Sequence, residues 1–205
     1  SVYRMLNRIE TYERHGIPER DTASIDSWFA GIRADQDAGI SVATGSHCTH
    51  VRNIRPWLED LTDDGRVRPI IEMAKQADTV EGVRKSIGVM RGLGSFMSLQ
   101  VACDYLWSPY SHLPTASRVP LAIGSRLSLD LMLTGVFDVR APKQHSELLY
   151  DSLHDAARFM PLGDRQFTYT DLEHSLCEWG KYRRYEAGKR LSNFLPFKSG
   201  GTNDV

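Results

Sequence analysis

Apolar side chains recur every three or four positions along most of this chain, which is the spacing of one face of an α-helix. The first such stretch covers residues 2–14 and ends at Gly16 and Pro18, and the next begins at Asp21. Later stretches cover residues 55–61, 67–77, 80–90, 95–107, 123–134, 144–158 and 170–191. Strict alternation of apolar and polar residues is not evident, so the pattern predicts an all-α domain of about eight helices.

Two glycines, Gly92 and Gly94, separate a helix that carries Val83 and Ile87 from an apolar helix that follows at once. Glycine accepts positive φ angles and lets another backbone come close, so this spacing predicts a tight turn, with Ser95 capping the second helix. The first N–H groups of a helix have no internal partner and lie at its positive end, so such a turn can hold a phosphate. The alternative is an ordinary helical hairpin whose glycines only permit close packing.

The helix after the turn carries an acid and an amide between aromatic side chains. At helical spacing Phe96, Gln100 and Asp104 share one face, and Trp107 follows one turn later. This combination indicates a surface that handles a nucleobase. The alternative for Asp104 is a residue that only forms hydrogen bonds at the end of its helix.

The overall charge does not indicate a nucleic-acid partner, because 25 basic residues nearly balance 26 acidic ones. Local basic groups such as Arg84, Lys85 and Arg91 are compatible with DNA contact, although solvated helix faces also produce them. The three cysteines share no CxxC spacing and predict a reducing compartment without disulfides. Cys48 lies near His47 and His50, but without a second ligand cluster we expect no metal.

The chain contains no run long enough to span a membrane and no signal peptide, so we expect a cytoplasmic protein without a membrane partner. Residues 1–197 are expected to form one helical domain, and the polar, Gly-rich residues 198–205 a flexible tail. Because the chain begins inside a helical pattern, we also expect it to be part of a longer protein.

The last helical stretch, which we expect Thr170 or Asp171 to cap, places His174, Glu178 and Lys181 on one face. A carboxylate between an imidazole and an ammonium group can act as a base or hold an amine. The alternative is an ion pair between Glu178 and Lys181 on the surface of the helix, worth about 0.3 kcal/mol.

The hairpin segment resembles the helix-hairpin-helix of DNA glycosylases, which grips the DNA backbone, although Arg91 stands where proline is usual. The resemblance implies DNA contacts for Arg91, Gly92, Gly94, Ser95, Phe96 and Gln100. The catalytic aspartate of a glycosylase lies further past the hairpin than Asp104 does.

The segment Leu172-Glu173-His174-Ser175-Leu176-Cys177-Glu178, followed by Lys181-Tyr182, is similar to a signature of the α-glutamyl/putrescinyl-thymine pyrophosphorylases. These proteins, also called amino acid:DNA transferases, form a helical, glycosylase-like family of phages. Four other segments resemble the family: Tyr3-Arg4 with Asn7-Arg8 and Thr11, Thr44-Gly45-Ser46, residues 92–104, and Gly124-Ser125-Arg126. Before the last of these, Ala122-Ile123-Gly124 departs from the family's Gly-Pro-Gly-like turn.

This resemblance implies hypermodification of thymine in double-stranded DNA, inside the host cytoplasm. A pyrophosphorylated 5-hydroxymethyluracil would leave the base stack, and an amino acid or polyamine would displace pyrophosphate from its 5-methylene carbon. The displacement itself would need no metal or organic cofactor. The implied pyrophosphate ligands are Arg4, Arg8, Ser125 and Arg126, although Arg4 and Arg8 also fit a solvated helix face. The implied base is Asp104 or Glu178, with Lys181 orienting Glu178.

Two other functions stay open. One is a non-catalytic, DNA-binding helical domain of a 5-hydroxymethyluracil DNA kinase, which fits the lack of a Gly-x4-Gly-Lys-Ser/Thr loop in this sequence. The other is a DNA glycosylase that uses Asp104 for hydrolysis.

Overall fold

The protein is all-α, as predicted. The computed structural model describes residue 6 and residues 8–43, 51–160 and 162–189, with only the backbone described for residues 51–53. These residues form nine helices and no strand beyond one isolated bridge between Leu162 and Arg165. The helices are α1 (Ile9–His15), α2 (Thr22–Asp37), α3 (Val51–Thr62), α4 (Asp64–Lys75), α5 (Val80–Ile87), α6 (Ser95–Leu106), α7 (Ile123–Thr134), α8 (Lys143–Ala157) and α9 (Tyr169–Glu186).

Polar side chains set several helix starts. Thr79 caps α5 by accepting a hydrogen bond from the Gly82 N–H at 3.0 Å. The prediction for α9 is wrong, because Thr168 is the N-cap and α9 begins at Tyr169. Thr168 and Asp171 form a capping box, in which each side chain accepts a hydrogen bond from the other residue's backbone N–H.

Buried apolar side chains form three clusters. The first lies among α2, α3 and the glycine turn and includes Trp28, Trp57 and Leu93. The second lies between α5 and α6 and reaches Val119 and Ala122 ahead of α7. The third packs α7, α8 and α9 around Leu129 and Tyr150. The second cluster brings the start of α7 against α6, and this contact positions the site described below.

Helices α7 and α9 approach closely at two polar contacts. The Ser128 hydroxyl donates to the Leu176 carbonyl at 2.6 Å, beside Gly180. Nearer the start of α7, the Ser125 hydroxyl donates to the carboxylate of Glu173, and both side chains are fully buried. These contacts fix the start of α7 relative to α9.

Candidate functional site

The glycine turn joins α5 to α6, as predicted. Gly92 has a φ of 81°, which is the left-handed region that favours glycine. Gly94 has a φ of −72°, and a Cβ built on it would meet nothing within 4 Å. Gly92 is therefore required by the backbone conformation, whereas Gly94 leaves open space at the start of α6.

The predicted cap of α6 is wrong by one residue. Gly94 is the N-cap, Ser95 is the first helical residue, and no side chain caps the helix. The start of α7 also lacks a side-chain cap, because its N-cap residue, Ala122, has no side-chain oxygen. Two twelve-residue helices thus begin with N–H groups that no capping side chain satisfies.

Both helix starts open onto one cleft of about 550 Å³, which we call the α6–α7 cleft. Ser95 and Phe96 line it from α6, and Ala122 and Ile123 line it from α7. The other lining residues are Glu81, Arg84, Lys85, Leu99, Arg118, Pro120, Leu121, Arg126, Lys143 and Glu147. The helix positive ends and five cationic side chains outweigh two carboxylates, so the cleft is suited to an anion.

Each carboxylate of the cleft already pairs with an arginine. Glu81 accepts two hydrogen bonds of 2.6 Å from Arg84, which hold the pKa of Glu81 below its ordinary value. Glu147 accepts a hydrogen bond from Arg118, which also donates to Asp151 at 2.7 Å. These pairs fix the two arginines in place. The charge of Arg126 is balanced by Asp130, so the charge in excess comes from Lys143 and from Lys85, which also lies 3.7 Å from Glu81.

Arg126 is oriented by the buried carboxylate of Asp130, one turn further along α7. The Arg126 Nε donates to Asp130 at 2.9 Å, and its Nη2 donates to the Ala141 carbonyl at 3.0 Å. Asp130 also accepts from the Ser146 hydroxyl at 2.8 Å and from Arg140 at 3.2 Å. Burial raises the pKa of Asp130, but these hydrogen bonds outweigh burial, so its pKa lies below the ordinary value.

Ser125 does not line the α6–α7 cleft, although the resemblance implied that it binds pyrophosphate. Its hydroxyl is fully buried and donates to Glu173, whose carboxylate also accepts a hydrogen bond from the backbone of Ala122. Burial raises the pKa of Glu173. Ser125 and Glu173 therefore hold the start of α7 in place from behind the cleft.

Arg91 and Asp60 fasten the glycine turn to α3. Asp60 is fully buried and accepts hydrogen bonds of 2.7 Å from both the backbone N–H and the Nε of Arg91. Asp60 also lies 3.4 Å from an Arg66 nitrogen. Arg91, which stands where proline is usual, thus ties the turn to α3, and it lies outside the lining of the α6–α7 cleft.

Gln100 is not at the surface, so the expected base-handling face is interrupted at its centre. Its side chain is fully buried, and neither its oxygen nor its nitrogen has a hydrogen-bond partner among the described residues. Of its two neighbours on that face, Phe96 lines the α6–α7 cleft and Asp104 lines a different one.

Replacing Gln100 with methionine should stabilise the protein. Methionine fills a similar volume without a polar group to bury, so we expect the free energy of unfolding to rise by about 1 kcal/mol. Urea denaturation followed by circular dichroism measures this change. An unfolding free energy that falls by a similar amount would show that the amide has a partner in solution.

The three expected catalytic residues do not meet in one cleft. Asp104 lies at the end of α6, in a cleft that it shares with Trp107 and His174. Glu178 accepts a hydrogen bond of 2.5 Å from Lys181 on α9, and more than half of the Glu178 side chain is exposed. Lys181 lines a third, smaller cleft between α7 and α9. Glu178 and Lys181 therefore have the geometry of the surface ion pair that the sequence offered as the alternative to a catalytic role.

The remaining expected residues lie elsewhere or outside the described residues. Arg8 donates to the Ser41 hydroxyl at 3.2 Å and pairs with Glu10 at 3.5 Å, away from the α6–α7 cleft. Arg4, the Thr44-Gly45-Ser46 segment, and Cys48 with its two histidines lie outside the described residues. Within the described ranges no three His, Cys, Asp or Glu side chains are grouped to hold a metal. None of the helices described is both long and apolar enough to cross a bilayer.

Sequence reasoning missed Arg118, Lys143 and Asp130. Arg118 stands alone in sequence, and Lys143 follows Arg140 without forming a basic run. Arg118 precedes α7 in the chain and Lys143 follows it, and folding brings both to the cleft. Asp130 lies four residues after Arg126, and this spacing is the one local signal that could have paired them.

Comparison with known proteins supplies one match. No curated protein and no solved structure is similar to this chain. A family model described as "5-hmdU DNA kinase, helical domain" matches residues 1–190, so it covers all nine described helices. This chain therefore belongs to the family of the helical domain of the 5-hydroxymethyldeoxyuridine DNA kinase, a family of thymine modification in phage DNA.

Proposed function

We propose that this helical domain binds DNA that contains 5-hydroxymethyluracil, and that the α6–α7 cleft holds a phosphate group of that DNA. The observation that carries the proposal is the meeting of two helix N-termini without side-chain caps in one cationic cleft. Of the functions considered from sequence, a DNA-binding domain that serves a DNA kinase agrees best with this geometry and with the family.

The cleft offers two kinds of phosphate contact. Backbone N–H groups at Ser95 and Phe96, and at Ile123, can donate to phosphate oxygens without any charged side chain. The Lys85 and Lys143 ammonium groups add point charges at the rim of the cleft. The open space beside Gly94 lets a DNA backbone approach the start of α6 closely.

Amine transfer is the second candidate, because a pyrophosphate carries two phosphates and the cleft has two helix N-termini. In that reaction an amine nitrogen attacks the 5-methylene carbon, the carbon–oxygen bond breaks, and pyrophosphate leaves with the bonding electrons. A base must take the proton from the amine. Asp104 and Glu178 lie outside the cleft lining, and both carboxylates of the cleft pair with arginines, so the geometry supports binding better than transfer.

The first test is DNA affinity as a function of salt. Replacing both Lys85 and Lys143 with alanine should weaken binding to a 5-hydroxymethyluracil duplex about tenfold near physiological salt. The slope of log affinity against log salt concentration should become shallower by about 2, since each phosphate contact contributes about 0.9. Fluorescence anisotropy of a labelled duplex measures both quantities.

The matched control replaces Lys75 and Lys189 with alanine, which removes the same charge from α4 and from the residues after α9. These lysines pair with Glu72 and Asp138 and do not line the cleft. The control should keep the wild-type slope. Equal losses in the two double variants would mean that net charge, and not the cleft, governs DNA affinity.

Turnover separates binding from catalysis. The chain is mixed with DNA that carries pyrophosphorylated 5-hydroxymethyluracil and with a panel of amines, and pyrophosphate release and base mass are followed. Binding without either change supports the DNA-binding domain. Pyrophosphate release with a gain of mass on the base supports the transferase, and abasic sites support a glycosylase.

A further inference from the structure

We propose that a second cleft, between the end of α6 and the start of α9, binds a nucleobase that has left the DNA stack. The proposal rests on the proposed DNA binding but concerns a different surface and different side chains. The cleft has a volume of about 430 Å³, and we call it the Trp107 cleft. It is lined by Cys103, Asp104, Trp107, Arg165, Thr170, Asp171 and His174.

Trp107 supplies a stacking surface. Its side chain is 45% exposed, whereas Trp28 and Trp57 are buried in the core. The Arg165 guanidinium lies 5.7 Å from the centre of the indole ring. Both indole rings and guanidinium planes stack on nucleobases that have left a duplex. The affinity gained from such stacking depends little on which base is stacked.

Arg165 is held in place by Asp171. Two hydrogen bonds of 2.6 and 2.7 Å join the guanidinium to the Asp171 carboxylate. Burial raises the pKa of Asp171, but Arg165 and Thr168 outweigh burial and hold it at about 2, so this carboxylate stays ionised at neutral pH. The Trp107–Arg165 pair is therefore preorganised and does not depend on the ligand for its position.

The hydrogen-bonding groups of the cleft suit the edge of a base and not a phosphate. Thr170 is 7% exposed, and its buried hydroxyl has no hydrogen-bond partner in the described part of the chain. The Asp104 carboxylate also lines the cleft. The edge of a uracil offers an N–H donor between two carbonyl acceptors, so a carboxylate and a hydroxyl can satisfy adjacent groups on it.

Charge also separates the two clefts. The lining of the Trp107 cleft contains two carboxylates and one arginine, and the N-terminus of α9 is already closed by the Thr168–Asp171 capping box. A phosphate would meet repulsion there, whereas the five cations of the α6–α7 cleft attract it. The two clefts share α6, so one DNA strand can place a phosphate at the start of this helix and a base near its end.

The test uses the whole chain and two probes, a single-stranded hexathymidylate and a duplex with one mismatched 5-hydroxymethyluracil. Trp107→Ala should weaken binding of the hexathymidylate about tenfold, since stacking on an aromatic side chain has an effect of roughly this size per base. Trp107→Phe should restore most of the affinity. Binding should quench tryptophan fluorescence in the wild type and not in Trp107→Phe.

Trp179→Ala is the matched control, because Arg183 lies 6.0 Å over the Trp179 ring and Trp179 lies outside the Trp107 cleft. This variant should keep both the affinity and the quenching. All Trp107 variants should keep the wild-type salt slope, which reports the α6–α7 cleft.

Three results would overturn the base site. The first is that Trp107→Ala binds the hexathymidylate as well as the wild type does, with the quenching unchanged in Trp107→Phe. The second is that Trp179→Ala loses as much affinity for the hexathymidylate as Trp107→Ala does. In both cases a normal salt slope on the duplex leaves the proposed function standing. If the wild type binds neither probe, the proposed function fails too, and the Trp107 cleft is not a base site.

Discussion

Replacing Asp130 with alanine is expected to lower the free energy of unfolding by about 3 kcal/mol, because it removes the acceptor of a buried ionic network. Asp130 is 1% exposed and accepts hydrogen bonds from Arg126, Arg140 and Ser146, which join α7 to α8. In the variant Arg126 stays mostly buried without its carboxylate partner, whereas Arg140 is half exposed and can be hydrated. The expected loss of stability is therefore at the lower end of the range for broken buried ion pairs. For a chain of 205 residues this loss lowers the melting temperature by about 10 °C.

The pH dependence of this loss identifies its cause. The native-state pKa of Asp130 lies below its ordinary value of 3.8, so the ionised carboxylate stabilises the fold above about pH 4 and loses this effect as pH falls. The difference between wild type and Asp130→Ala should therefore shrink on acidification. Glu72→Ala, which removes an exposed pair with Lys75, should cost less than about 0.5 kcal/mol and serves as the control. A loss for Asp130→Ala as small as the control's would contradict the network.

Replacing Gly180 with alanine is expected to destabilise the protein by about 2 kcal/mol, although alanine is the better helix former by about 1 kcal/mol. A Cβ at Gly180 would lie 2.1 Å from the Ser128 hydroxyl oxygen and 3.3 Å from the Ser128 Cβ. That hydroxyl lies 2.6 Å from the Leu176 carbonyl and 3.1 Å from the Gly124 carbonyl, so rotating it away breaks the shorter hydrogen bond, which joins α7 to α9. Thermal unfolding of the single variant measures the loss.

The double variant Ser128→Ala/Gly180→Ala tests whether Ser128 causes the loss at Gly180. Removing the hydroxyl relieves the contact at 2.1 Å but leaves the one at 3.3 Å, so part of the stability should return. The two changes should therefore destabilise by less than the sum of the single effects. Additive losses would mean that the clash with Ser128 is not the cause.

The helical class of the fold was predictable, because the 3.6-residue period of apolar positions is a local property. The start of α9 was not predictable in the same way. Thr168 has Asp171 three residues later, and Thr170 has Glu173 three residues later, so both fit the pattern of a capping box. Glu173 is instead bound to Ser125, a contact across 48 residues that no local pattern reveals.

The candidate site was predictable only in pieces. The glycine turn and Phe96 were identified from their local sequence, and Arg126 from the family resemblance, and the fold brings Phe96 and Arg126 to one cleft. Gln100 shows why helical spacing is insufficient, because the spacing tells which residues share a face but not what covers that face. The role of Glu178 stays a prediction, and the structure shows that its carboxylate accepts a hydrogen bond from Lys181.

The most direct test of the α6–α7 cleft is a titration of the protein with pyrophosphate, and then with 5-hydroxymethyluracil DNA, followed by the NMR signals of its backbone N–H groups. We expect the signals of Ser95, Phe96 and Ile123 to shift together with one dissociation constant, since the two helix starts bind one anion. DNA binding that leaves these three signals unmoved, while N–H groups on another face shift, would contradict a phosphate site in the α6–α7 cleft.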